Sequence, residues 1–236
     1  MVSEYFRFEN EEIKGLTITI LVLSFIMSFR EWGTDKFDVG TGLTNLFNTI
    51  VIVTIAIIVR EFAQRIFALR HGYRYEYRMW MYGLIIGLVL VFASYGWLTF
   101  IAPGGLVLHQ ITRARIGKFR HGLSYMNILQ VSLAGPVANI ILAMVFKMFM
   151  FLPNTALIEK AITINILIAV FALLPIPPLN GANVFFQSRL IYVFSYASII
   201  GTGILVYFAN VLLAIVGGLL LGGLMWLVYY LKVESA

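Results

Sequence analysis

The chain contains no cysteine. Disulfides, iron–sulfur clusters and thiolate zinc sites are therefore excluded. Charge is scarce as well: Asp, Glu, Lys and Arg make up 12% of 236 residues, against 61% hydrophobic. A soluble domain of this length with a mean hydropathy of +0.91 could not hide its apolar surface. Acidic residues number 11 against 17 Lys and Arg, a net charge of +6. In a soluble protein this balance would suggest nucleic acid. In a membrane protein it marks cytoplasmic loops and anionic head groups, so membrane lipids are the expected partners and nucleic acid is not. Only three histidines occur, His71, His109 and His121, all in basic loops. Isolated loop histidines are usually solvated, which argues against a zinc site built from them.

What the chain has in abundance is apolar runs. A span takes about 20 apolar residues, so this length allows six or so. Residues 1–14 mix Glu4, Glu9, Glu11 and Glu12 with Arg7 and Lys14, so the run Gly15–Phe29 reads as a retained span and not a cleaved signal. A second run covers Leu43–Leu69. Arg70–Arg78 is basic and aromatic, and Tyr73, Tyr75, Tyr77 and Trp80 suit an interfacial belt. Met79–Ile101 is apolar until Ala102-Pro103-Gly104-Gly105 interrupts it, and Leu106-Val107-Leu108 reads as a short strand. Further spans cover Tyr125–Leu152 and Thr155–Leu174. The latter ends at Pro175-Ile176-Pro177-Pro178, which cannot continue a helix. Ile191–Leu231 has room for two more, hinged near Gly217-Gly218. The glycine pairs there and at Gly222-Gly223 read as close helix packing.

Eight of the 17 Lys and Arg fall in Arg65–Arg78 and Arg113–Arg120. The positive-inside rule puts both stretches on the cytoplasmic side. A simple span between them would separate them, so Met79–Gln110 reads as a segment that enters and returns. A true span with one basic loop outside is the alternative. The expected fold is an all-α polytopic membrane protein. It has one membrane domain over 1–236, about six transmembrane helices and a short re-entrant strand or loop. The expected location is a prokaryotic cell membrane, with the basic loops cytoplasmic.

Arg60-Glu61-Phe62-Ala63-Gln64 has the frame of the zinc-protease helix H-E-x-x-H, with the general-base glutamate in place. Zinc needs neutral imidazoles one helical turn apart, whereas Arg60 is a fixed cation and Gln64 a weak amide donor. Glu61 is the acidic residue set deep within an apolar run. One reading places Arg60 and Glu61 in a site; the bland one places them near the cytoplasmic end of the span, wetted by the interface.

Two further segments follow: Gly135-Pro136-Val137-Ala138-Asn139, and Leu174-Pro175-Ile176-Pro177-Pro178-Leu179-Asn180-Gly181. Together, in this order, the three resemble the site-2 protease family of intramembrane zinc metallopeptidases over about residues 45–190, with additional C-terminal helices at 191–231. In that family H-E-x-x-H is followed by a G-P-x-x-N helix, and the third ligand is an aspartate in a P-x-P-x-L-D-G-like helix break. The resemblance implies that Arg60, Gln64 and Asn180 stand at the three metal-ligand positions. It implies that Glu61 stands at the base, and that Asn139 is the signature asparagine. Gly104 and Gly105 then correspond to the substrate-side strand, and Gly135, Pro136, Pro177 and Gly181 to scaffold. Ala172 departs from the asparagine that many members carry before Leu-Leu-Pro.

On this alignment no metal is expected, with zinc as the alternative. An arginine and two amides would form a hydrogen-bonded cluster in its place. A designed knockout normally removes the glutamate and keeps the histidines, so the reverse pattern reads as natural divergence. Three functions follow. The chain is a proteolytically inactive member that binds a transmembrane segment or serves as subunit of a membrane complex. Alternatively it is an active intramembrane metallopeptidase with an atypical site, or a transporter or channel subunit with Arg60, Glu61 and Asn180 lining a pathway.

Overall fold

The computed structural model describes residues 6–33, 37–111 and 124–234. The second basic loop, with Arg113, Arg115, Lys118, Arg120 and His121, lies outside the described residues. The elements run α1 Asn10–Ser28, α2 Val39–Arg70, β1 Tyr73–Arg78, α3 Met81–Ala93, β2 Gly105–Gln110, α4 Tyr125–Met148, α5 Thr155–Ala172, α6 Asn180–Gln187, α7 Arg189–Phe208 and α8 Val211–Tyr229. A short π-helical turn, Tyr230–Glu234, ends the described chain.

Five helices are long and apolar enough to cross a membrane: Val39–Arg70, Tyr125–Met148, Thr155–Ala172, Arg189–Phe208 and Val211–Val233. The protein is a polytopic, mostly helical membrane protein. Large apolar side chains on the outer faces, such as Leu212, Leu219 and Leu224 of α8, are more than half or about half exposed. α1 is 19 residues long but carries Glu11, Glu12 and Lys14 in its first turns. α3 has 13 residues, roughly 20 Å of helix, too short to span.

The helices form where start and stop signals flank apolar runs. Asp38 caps α2, accepting from the Gly40 amide at 2.9 Å. At the other end His71 and Gly72 close the last turn, Gly72 taking φ +78°. The expected break at Gly217-Gly218 is not there. The chain turns instead at Ala209-Asn210, where Asn210 caps α8 by accepting from the Leu213 amide at 2.9 Å. Gly218 and Gly222 lie within α8 and pack on Thr202 and Ser198 of α7. There the small-residue reading holds.

The described residues are not all helical. β1 and β2 pair antiparallel, from Tyr73 opposite Gln110 to Arg78 opposite Gly105. The strand in Leu106–Leu108 was expected; its partner in Arg70–Arg78 was not. Tyr73, Tyr75 and Tyr77 are 5, 2 and 3% exposed, so they form a buried face and not an interfacial belt. Tyr alternates with Arg74, Glu76 and Arg78, a period of two that points the charges outward.

Glu12 fastens this sheet to the helices. One of its oxygens accepts from Arg65 Nη2 at 2.6 Å and from the Tyr77 amide at 2.7 Å. The other accepts from the Glu9 amide at 2.9 Å. Arg65 is 1% exposed and stacks on Phe8, 3.9 Å from the ring centroid. Glu12→Ala leaves a buried arginine without its counter-charge, a loss of about 3–5 kcal/mol. The apparent melting temperature in detergent is expected to fall sharply. Glu31→Ala, which breaks only the partly exposed pair with Lys160, is expected to cost no more than about 1 kcal/mol. Equal effects of the two would show that Glu12 does not hold the structure together.

Candidate functional site

Arg60, Glu61, Gln64, Asn139 and Asn180 are all fully buried. The interface-wetted reading of Arg60 and Glu61 is therefore wrong. The helix C-terminus is ten residues further on, and β1, the Pro103-Gly104 turn and α4 cover this turn. The Arg60 guanidinium makes four contacts. Nη1 donates to Pro103 O at 3.0 Å and to Glu61 Oε1 at 3.3 Å. Nη2 donates to Gly104 O and to Asn180 Oδ1, each at 3.3 Å. Neighbouring helical residues point about 100° apart, yet the long arginine side chain swings far enough for the pair to meet.

The signature residues around it act through the backbone. Pro136 lies inside α4 and has no N–H to give Ser132 O one turn back. That carbonyl instead accepts from Asn180 Nδ2 at 2.9 Å. Gly135 removes the side chain at the α2–α4 crossing: a Cβ there would stand 2.9 Å from both Arg60 Cγ and Gln64 Cδ. Gly104, at φ +89°, turns the chain so that its carbonyl and that of Pro103 face Arg60. A Cβ on Gly105 would strike Pro178 O at 2.3 Å, and one on Gly181 would strike Leu173 O at 2.0 Å. Pro177 itself is exposed in the connection before α6.

Gln64 is not bonded to Arg60. Its Nε2 donates to Val131 O at 3.4 Å, and its Oε1 accepts from the Tyr75 hydroxyl at 3.0 Å. The expected three-residue cluster is thus an Arg60–Asn180 pair with Gln64 held separately, because β1 brings a phenol to the amide first. Burial, and then the charge of Glu61, hold the Tyr75 phenol well above the usual tyrosine range, so it remains a donor. Asn139 joins three helices, its Nδ2 donating to Ala56 O of α2 at 3.1 Å and to Asn165 Oδ1 of α5 at 3.0 Å.

Sequence reasoning missed Tyr75, Asn165 and the two carbonyls at Pro103 and Gly104. A lone asparagine within an apolar helix marks Asn165, and the tyrosine alternation marks Tyr75. The carbonyls had no side-chain signal to follow. Among the described residues no three His, Cys, Asp or Glu converge as a metal site. His109 lies on the exposed side of the sheet, 2.9 Å from Glu76.

A buried charged turn on a spanning helix, enclosed by a G-P-x-x-N helix and a proline-broken one, defines a membrane protein of the metalloprotease-like class. The chain is 34% identical over 188 residues to a protein of Methanocaldococcus jannaschii named "Putative zinc metalloprotease", covering 76% of this chain and 85% of the relative. The chain belongs to that family. No family profile and no solved structure matches it.

Gly135→Val forces a branched side chain into the α2–α4 crossing and is expected to cost about 1–3 kcal/mol. Gly223→Ala is the control, since a Cβ there meets nothing within 4 Å. Thermal melts of the two variants beside the parent test the crossing. A Gly135→Val protein as stable as the parent would show that the helices do not approach this closely.

Proposed function

We propose that this chain is a site-2-protease-like membrane protein that binds a transmembrane segment without cleaving it, by itself or as subunit of a membrane complex. The observation that supports the reading is the Arg60 guanidinium, bonded to Asn180 at one of the other two ligand positions. Catalytic zinc needs three protein ligands and an open position for water. Here one ligand position is a permanent cation. The amide oxygens at the other two are already engaged, Asn180 Oδ1 with Arg60 and Gln64 Oε1 with Tyr75. This donor set does not fit zinc. Without an acidified water Glu61 has no proton to take, and its role is to balance Arg60.

On this reading α1 is the sixth span. Residues 79–104 form a re-entrant segment, supported by the pairing of Arg78 with Gly105 at its two ends. The basic loops face the cytoplasm of a cell whose plasma membrane holds the protein. The name of the relative favours a second reading, an active metallopeptidase with an atypical metal site.

Metal analysis of purified protein separates the two. The parent is expected to carry no stoichiometric zinc and to melt unchanged after chelation. The triple variant Arg60→His, Gln64→His, Asn180→Asp is expected to gain one zinc per chain. Stoichiometric zinc in the parent would overturn the proposal in favour of the second reading. Labelled transmembrane peptides reconstituted with the parent are expected to associate with it and to remain intact.

A further inference from the structure

The turn that follows α3 lies against a cation with nothing to balance it. Arg30, just beyond the end of α1, is exposed and has neither a carboxylate partner nor a hydrogen bond among the described residues. Its chain neighbour Glu31 is engaged by Lys160. The guanidinium lies instead over the Trp97 ring, 4.3 Å from the centroid. Its stem packs on Gly96, where a Cβ would stand 2.4 Å from Arg30 Cγ. One face of the cation is thus covered and its position fixed, while its N–H groups remain free to donate.

The same turn presents rings outward. Tyr95 holds φ +51°, a strained conformation for a residue with a side chain. It is 82% exposed, and Trp97 is 75% exposed. Local bonds keep them there: the Gly96 amide donates to Val91 O at 2.7 Å, and Ser94 Oγ accepts from the Leu98 amide at 2.9 Å. Phe29 and Phe92 pack edge to face beneath, 5.0 Å between centroids, and tie the turn to the end of α1. At its other end α1 holds β1 through Glu12 and the Tyr77 amide. Arg30 is 18 residues beyond Glu12, roughly 27 Å at the helical rise. That is close to the hydrocarbon thickness of a bilayer. The turn therefore stands about a membrane's width from β1, at the level where tryptophan and tyrosine meet head groups.

We propose that Arg30, Tyr95 and Trp97 form a head-group site for one anionic phospholipid, in the leaflet opposite the basic loops. A guanidinium suits a phosphodiester, which accepts from two of its N–H groups at once. The indole N–H and the phenol O–H are further donors beside it. Leu98, also exposed, adds apolar surface for the upper acyl chain. A head group with its own cation, such as phosphatidylcholine, would set that cation beside Arg30, so a lipid without one is preferred. The site rests on α1 crossing the bilayer, as the proposed function has it, and not on whether any bond is cleaved.

The test uses the full chain in nanodiscs of phosphatidylglycerol and phosphatidylcholine in equal parts. A trace of one lipid or the other carries a nitroxide high on an acyl chain. Quenching of Trp97 is read as the difference between the parent and Trp97→Phe. Labelled phosphatidylglycerol is expected to quench Trp97 about fivefold more effectively than labelled phosphatidylcholine, as one arginine near an anionic lipid allows. Arg30→Gln, checked by its melt, is expected to remove the preference while both lipids still quench. Equal quenching by the two lipids in the parent, or a preference that survives Arg30→Gln, would overturn the proposal and leave α1 a span. Quenching by neither would overturn it together with the crossing of α1. A preference abolished by millimolar inorganic phosphate would assign the guanidinium to the free anion instead.

Discussion

Arg60 is a permanent cation with no exposed surface on a membrane-spanning helix, and the rest of this structure is organised by the need to satisfy it. A charge at such a depth is tolerated only where it is paired or bonded to backbone carbonyls. Arg60 uses both solutions. Glu61 supplies the counter-charge, while Pro103, Gly104 and Asn180 supply neutral oxygens. Each of those acceptors needs its own support. Gly104 must adopt a positive φ to present its carbonyl. Asn180 is fixed because the carbonyl that Pro136 leaves free accepts its amide. Gly135 must lack a side chain for α4 to close over Arg60 at all. Four separate stretches of sequence, at 60–61, 103–104, 132–136 and 180, thus converge on one guanidinium.

One turn along α2, Arg65 meets the same difficulty with a different answer. It holds a dedicated carboxylate, Glu12, at 2.6 Å, and its planar face lies on Phe8. This pair carries α1 and β1 with it, since the oxygen that accepts from Arg65 also accepts from the Tyr77 amide. The two carboxylates are held differently. Glu12 fills both oxygens with backbone and guanidinium donors. Glu61 meets Arg60 at 3.3 Å and lies beside the Tyr75 phenol, with its second oxygen buried.

The helical spans were legible because each is an apolar run of sufficient length, and their ends carry Asp38, Gly72 and the prolines before Asn180. The place of the turn between α7 and α8 was misread. Gly217-Gly218 resembles a break, but glycine inside a spanning helix serves close packing as readily as it serves a hinge. The strand β1 was hidden for another reason: in Arg70–Arg78 the composition, basic and aromatic, suggests an interface, and only the alternation reveals which side is buried. At the site, side chains were legible and backbone was not. Arg60, Glu61 and Asn180 announce themselves as polar residues in apolar surroundings. Nothing in Pro103 or Gly104 says that their carbonyls accept from Arg60. Gln64 was placed with Arg60 by the ligand positions that the resemblance implies, and those cannot foresee a phenol arriving from a strand.

The carbonyls of Pro103 and Gly104 belong to irregular backbone, which membrane proteins tolerate only where its polar groups are satisfied from within. Turned inward by a glycine, they form an acceptor site for something positive. On the proposed reading the guanidinium is that positive group, and its chemistry suits the position better than an ammonium would, since a planar fork of donors reaches several acceptors at once. The same reasoning accounts for Glu61. Remove the carboxylate and Arg60 keeps three neutral acceptors but loses its charge balance in a place water does not reach. A glutamate next to a buried arginine has an electrostatic reason to be there, whether or not any bond is ever hydrolysed beside it.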